Sequence, residues 1–221
     1  MDWQALRLSL ELAGVTLLLL LPLSLLLGRW LAYTSQRFKP LVEALVLLPL
    51  VLPPTVLGYY LLMAMGGSTP LGRWAQDTLG LRLSFSFPAL VLASVVFNIP
   101  FMVQPIQRAF EAIPRQLSEA AAVSGLGRWQ TLLWVELPLA WPGLLSALVL
   151  TFVHTLGEFG VVLMVGGNIP GETRTLAIAI YDRVQAFDLA GADRMAALLL
   201  LISVAAVVAS LVASARLTRR R

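Results

Sequence analysis

Cysteine is absent from the 221-residue chain, which excludes disulfides and thiolate-held metals. Histidine occurs once, at His154, so no cluster of the usual metal ligands can form. Lysine also occurs once, as Lys39 in Arg-Phe-Lys-Pro. A phosphate-cradling Walker A loop needs a lysine behind a glycine-rich turn, and none can be built there. Any use of ATP therefore falls to another chain, and no cofactor is expected on this one. Charge is scarce as well. Only 13% of residues are Asp, Glu, Lys or Arg, against roughly 25% in a soluble domain.

What fills the chain instead is apolar. Hydrophobic residues make up 58% of it, and the mean hydropathy is +0.83. About 20 apolar residues span a bilayer as a helix. Five stretches reach that length, at about Leu8 to Ala32, Leu41 to Met65, Phe87 to Gln107, Pro142 to Val165 and Met195 to Ala215. Backbone groups in lipid must be paired within a segment, so each stretch is expected to be helical. The expected fold is all-α, a polytopic membrane protein of about five transmembrane helices forming one domain over residues 1–221. The first stretch is expected to be a span rather than a cleaved signal peptide. Its core is too long for a signal's apolar region, Glu11 interrupts its start, and no small-x-small cleavage site follows.

The net charge of +4 and pI near 10.1 are best read as topology rather than as a nucleic-acid footprint, because the basic residues flank apolar segments. Arg29, Arg37 and Lys39 follow the first stretch, Arg108, Arg115 and Arg128 the third, and Arg216, Arg219, Arg220 and Arg221 the last. Placing all of them in the cytoplasm puts the N-terminus outside, the C-terminus inside, and most of the acids outside. The external loops are then Gly66 to Ser86 and Gly166 to Arg194, the second holding an amphipathic stretch from Leu176 to Phe187. The Arg216 to Arg221 tail is read as an anchor at lipid headgroups.

The most informative stretch lies on the positive side, between the third and fourth spans. Pro114 suits a first helical turn, where its missing N–H is no loss. Arg115 to Ser124 favours helix, and Gly125 supplies a stop able to take positive φ. A second helical run, Arg128 to Val135, is expected to end before Pro138. The alanines at 120 to 122 offer a narrow, smooth surface to a partner; an ordinary alanine-rich loop is the alternative.

Residues Glu119-Ala120-Ala121-x3-Gly125-x9-Val135-x-Leu137-Pro138 resemble the Glu-Ala-Ala signature of ABC-importer permeases, with Val135 in place of isoleucine. The resemblance implies a cytoplasmic coupling helix within about 109–141 that docks on a separate ABC ATPase subunit, with Glu119, Ala120, Ala121 and Gly125 as docking elements. The block from His154-Thr-Leu-Gly-Glu-Phe-Gly through Gly-Gly-Asn-Ile-Pro-Gly to Tyr181 resembles molybdate permeases. Sulfate permeases share Gly-Glu-Phe-Gly but match the following portion less well. The resemblance implies import of molybdate from a periplasmic or extracellular molybdate-binding protein, by a permease homodimer in a bacterial inner membrane. Sulfate, thiosulfate and tungstate are the alternative substrates.

Polar residues inside the spans are candidates for the path or its gate. Glu158 has His154 one turn earlier on the same face. A buried acid is expensive in hydrocarbon and needs a partner. It is read either as a gate or interface element, or as an interhelical hydrogen bond with the acid protonated. Pro49, Pro53 and Pro54 are expected to kink the second span, with Thr55 placed to occupy a freed backbone group. Asn98 and Pro100 are expected to interrupt the third span, with Gln104 and Gln107 beyond. Their amides suit transient oxyanion contact beside a broken helix, or simple packing between helices. A self-contained channel or ion-coupled transporter is the competing class, but it would carry more intramembrane charges and two related halves.

Overall fold

The computed structural model describes residues 1–218. Arg219, Arg220 and Arg221, part of the expected basic anchor, lie outside the described residues; Arg216 stands in the last turn of the last described helix. Helices account for the regular structure of the described residues. Four are long and apolar enough to cross a membrane, or five counting one bent pair as a span.

The first helix, α1 (Trp3–Tyr33), begins where the Asp2 carboxylate accepts the Ala5 N–H at 2.9 Å. Its 31 residues reach about 46 Å at 1.5 Å per residue, beyond the hydrocarbon core of about 30 Å. The second apolar stretch divides into α2 (Lys39–Val51) and α3 (Pro54–Met65), bent by 108°. Pro53 and Pro54 cannot donate the hydrogen bonds that would carry the helix through, so the kink is a full break. The Thr55 hydroxyl takes no partner among the described residues, contrary to its expected use. The next loop holds α4 (Pro70–Leu79), capped by Thr69 Oγ1 on Gly72 N at 3.0 Å and ended by Gly80 at φ 65°.

The third span, α5 (Phe87–Glu111), runs unbroken past Pro100 and Pro105, so the expected interruption at Asn98 and Pro100 is not there. Neighbouring helices surround it: α5 packs against α1, α2, the later helices α8 (Leu137–Gly157) and α9 (Gly160–Gly166), and in part α3. Small residues permit that closeness. A Cβ on Gly143 of α8 would lie 2.4 Å from Ala109 Cβ of α5, and one on Gly28 of α1 would lie 2.8 Å from Ile106 Cγ2. The main core follows, with Leu20, Met102, Ile106, Phe110, Leu144 and Ala147 buried together.

Between α5 and α8 stand α6 (Arg115–Val123), α7 (Arg128–Thr131) and a π turn, Leu132–Glu136, that leads straight into α8. The helical run therefore does not stop before Pro138. Leu137 N bonds Leu132 O, five residues back. The widened turn makes room where proline has no N–H and would crowd a carbonyl four residues earlier. The fourth apolar stretch breaks at Glu158 and Phe159, between α8 and α9. The described residues end with α10 (Leu176–Gln185), packed on α1 and α11 (Leu189–Thr218). The loop before α10 is tied down: Asn168 Nδ2 donates to both Asp182 oxygens at 2.9 and 2.7 Å, and Arg174 Nε to Asn168 Oδ1 at 2.6 Å.

Candidate coupling segment and intramembrane polar cluster

Helix α6 ends in a Schellman arrangement. Gly125 takes φ 82°, its N–H bonds Ala122 O at 3.0 Å, and Leu126 N bonds Ala121 O at 3.0 Å. The positive φ favours glycine, as the position requires. Glu119 and Ala120 are exposed, as are Ala122 and Val123. Ala121 is different. It is 6% exposed, the buried residue of α6, which lies against α7 and the π turn. Its small size thus serves this chain's own packing, while Ala120 and its exposed neighbours form the open face.

From α7 onward the backbone is one continuous helical run to Gly157. Near its start sits a group that reasoning from sequence passed over. Glu136, at the position the Glu-Ala-Ala signature leaves open within Val-Glu-Leu-Pro, is 1% exposed. Arg29, near the end of α1, grips it with two bonds, Nε to Oε2 at 2.5 Å and Nη2 to Oε1 at 3.1 Å. The arginine also lies over the Tyr33 ring, 5.6 Å from its centroid. Two-pronged pairing of this kind fixes geometry as well as charge. Its signal in the sequence was an acid among apolar residues, but the partner is 107 positions away.

Deeper in the membrane, Asn98 and Glu158 come together as expected of an acid that needs a partner. Ser94 and Asn98 share a face of α5, and His154 and Glu158 share a face at the end of α8. Ser94 Oγ and Asn98 Nδ2 donate to the two oxygens of Glu158, which is 3% exposed. Asn98 Nδ2 also donates to Ser94 O at 2.8 Å. With its amide nitrogen turned to the carboxylate, Asn98 presents Oδ1 to His154 Nδ1 at 2.9 Å, so Nδ1 carries the proton. The imidazole stacks on Phe101 at 3.7 Å and leans on Phe97 at 5.1 Å. Ser94 was not singled out from the sequence; its spacing of four from Asn98 was the available signal.

Glu158 does not sit in mid-helix. It follows Gly157 with φ −60° and ψ 131°, at the break between α8 and α9. The other break touches this one. A Cβ on Gly160 would lie 3.0 Å from Pro54 Cβ and 3.6 Å from Thr55 N, and one on Gly58 would lie 2.8 Å from Met164 Cβ. Two interrupted helices thus meet beside a buried acid, where irregular backbone is tolerated only against protein or a water-filled cavity. Thr55 lies at that junction and is exposed, whereas half-buried Gln104 takes no part in the Glu158 network. Gln107 bonds elsewhere, donating to Glu43 and Glu111 at 2.9 Å each.

Several membrane-length helices, two interrupted spans and a short helix between two of the spans define a polytopic α-helical membrane protein. The sequence matches the family described as binding-protein-dependent transport system inner membrane component over residues 22–221. The chain belongs to that family, and is therefore a membrane permease of an ABC importer. It is 51% identical over 203 residues to the molybdenum transport system permease protein ModB of Azotobacter vinelandii, covering 91% of this chain and 89% of that protein. It is 39% identical over 223 residues to ModB of Escherichia coli K12, covering 100% and 96%. A bacterial ABC transporter importing the acidic polysaccharide alginate has the same fold, with a TM-score of 0.73 at 21% identity over 98% of this chain and 78% of that one. The relatives are named as transport permeases, in keeping with ATP hydrolysis on a separate subunit.

Proposed function

We propose that this chain translocates molybdate, delivered by an external binding protein, as a homodimer driven by a paired ABC ATPase. The 51% identity to a molybdenum permease, spread over nine-tenths of both chains, carries the substrate assignment. One chain holds one coupling segment, whereas a paired ATPase offers two docking clefts, so a two-fold dimer is the simplest match. The distribution of arginines supports an external N-terminus and a cytoplasmic C-terminus.

In this mechanism α6 enters the ATPase cleft through Glu119 and Ala120. Ala121 seats the helix on α7 and the π turn, and Gly125 turns the chain back. Closure of the ATPase displaces α6, and the unbroken run from α7 to Gly157 carries that displacement to the junction at Glu158. Arg29 and Glu136 bring α1 along. Thr55, Asn98 and Glu158 act at the meeting of the two broken helices, and Gln104 further along α5. Glu158 orders the gate rather than binding the oxyanion, since like charges repel. A path that bound its ion tightly would conduct slowly.

The test is uptake of labelled molybdate, tungstate and sulfate by cells lacking this chain and cells regaining it. Restoration of molybdate uptake is expected. Preferential restoration of sulfate uptake overturns the substrate assignment.

A further inference from the structure

Where α1 leaves the apolar zone it lines a pocket of about 580 Å³ with α7 and the π turn. Its walls include Arg29, Trp30, Tyr33, Arg128 and Trp129. Arg29 spends Nε and Nη2 on Glu136, so that pair is close to neutral. The Arg128 guanidinium makes no hydrogen bond or ion pair among the described residues, and the pocket's net positive charge is therefore its own. The indole N–H groups of Trp30 and Trp129 are likewise without partners among the described residues. The site offers a free guanidinium and two free indole donors, in a wall of aromatic rings.

A second feature adjoins it. An apolar groove of about 390 Å³ runs along the seam of α1 and α8, between Leu21, Leu25, Leu137, Trp141 and Leu148. Pocket and groove follow one another along the same helix stripes: Leu25 of the groove precedes Arg29 of the pocket by one turn, and Leu133 of the groove follows Trp129 of the pocket by one turn. Leu26 and Leu132 line the pocket, while Leu25 and Leu133 line the groove. The groove residues lie further from the end of α1 and further into α8, so the groove is the deeper of the two in the membrane. A cationic, aromatic pocket thus stands about one turn above an apolar groove on the same two elements. Tryptophan and arginine at this level are the side chains that hold headgroups, and basic pockets beside transmembrane helices hold anionic ones.

We infer that the seam of α1 and α8 holds one anionic glycerophospholipid, its phosphate on Arg128 and the indoles and an acyl chain in the leucine-lined groove. The lipid would then lie against the π turn that leads from the coupling segment into the membrane. The charge favours an anionic over a zwitterionic headgroup, and the apolar groove favours a lipid over free phosphate.

The permease–ATPase complex, purified in detergent with phosphatidylglycerol or phosphatidylcholine, tests this by native mass spectrometry. Selective retention of phosphatidylglycerol on the permease is expected. Arg128→Gln should lower that retention about five-fold, as for loss of one arginine at a headgroup, and Trp129→Leu should lower it too, with the ATPase still bound. Arg128 is exposed, so its replacement leaves the core untouched. Equal retention of both lipids, or retention indifferent to Arg128→Gln, overturns the assignment. Displacement by millimolar inorganic phosphate would make it a free-oxyanion site, and loss of the ATPase from Arg128→Gln would make it a protein contact. Either result also overturns it.

Discussion

Replacing Arg29 by methionine strands a carboxylate. Glu136 has 2% of its side chain accessible, and both bonds from the guanidinium, at 2.5 and 3.1 Å, would be lost. Breaking a buried pair from one side costs about 3–5 kcal/mol, because the remaining charge has neither water nor partner. The two halves are not equally buried, since Arg29 keeps 29% of its side chain accessible. Glu136→Met leaves an arginine that water reaches in part, so its cost should be smaller, about 1–3 kcal/mol. The double variant, methionine at both positions, removes both charges and should recover most of the loss. Melting of the purified complex in nanodiscs reads all three. At about 2–4 °C per kcal/mol for a chain of this size, Arg29→Met should lower the midpoint by roughly 10 °C, Glu136→Met by less, and the double variant least of all. Equal single effects that add in the double variant would refute the reasoning, and would make the pair an exposed contact of little worth.

Three further outcomes follow from the same geometry. Glu158→Gln keeps a group that accepts from Ser94 or Asn98, whereas Glu158→Leu leaves the Ser94 hydroxyl and one of the two Asn98 amide N–H groups buried and unmet, the other still bonding Ser94 O, at about 1–3 kcal/mol for each group; uptake and complex yield should survive the first far better, and equal survival refutes the network's role. Ala120→Trp fills the open face of α6, and Gly125→Val forces a β-branched residue into positive φ at about 1–2 kcal/mol; each should reach the membrane normally yet copurify poorly with the ATPase, and normal copurification of both sinks the docking assignment. The Arg183 guanidinium, at 2.5 Å, and the Gly191 N–H, at 2.9 Å, hold the Asp188 carboxyl below its usual range. A depressed carboxylate stabilises the fold above its unfolded pKa of about 3.9 and loses that contribution as pH falls through the lower folded value. Amide exchange around residues 183–191, corrected for intrinsic rate, should therefore rise only on acidification below about pH 4; an onset near neutral pH contradicts it.

The parts legible in the sequence were those that local chemistry decides. Apolar runs place the spans, because length and hydropathy alone determine what can cross a bilayer. The helix from Arg115 and its stop at Gly125 follow from a proline, an alanine run and a glycine within a dozen residues. Pro53 and Pro54 announce a disturbance in the second span, though not that it would be a break of 108°. Pro100 and Pro105 carry the same local signal and yet leave α5 unbroken, since α1, α2, α8 and α9 enclose it. Proline chemistry is local, whereas its compensation is tertiary. For the same reason His154, Asn98 and Glu158 could be named as polar residues in need of partners, but Ser94 and the grip of Arg29 on Glu136 could not be found. Periodicity tells which face a side chain occupies, not which residue 64 or 107 positions away will meet it. The break between α8 and α9 has no proline; its only trace is Gly157 and Gly160 flanking Glu158 and Phe159.

The most direct measurement reconstitutes this chain with its ATPase and binding protein in liposomes, ATP inside and labelled molybdate outside. The expected result is uptake that requires ATP, the binding protein and an intact α6, with two copies of this chain per complex by mass. Uptake persisting without ATP and without the ATPase would contradict the account, since the chain would then be a channel or an ion-coupled carrier in its own right.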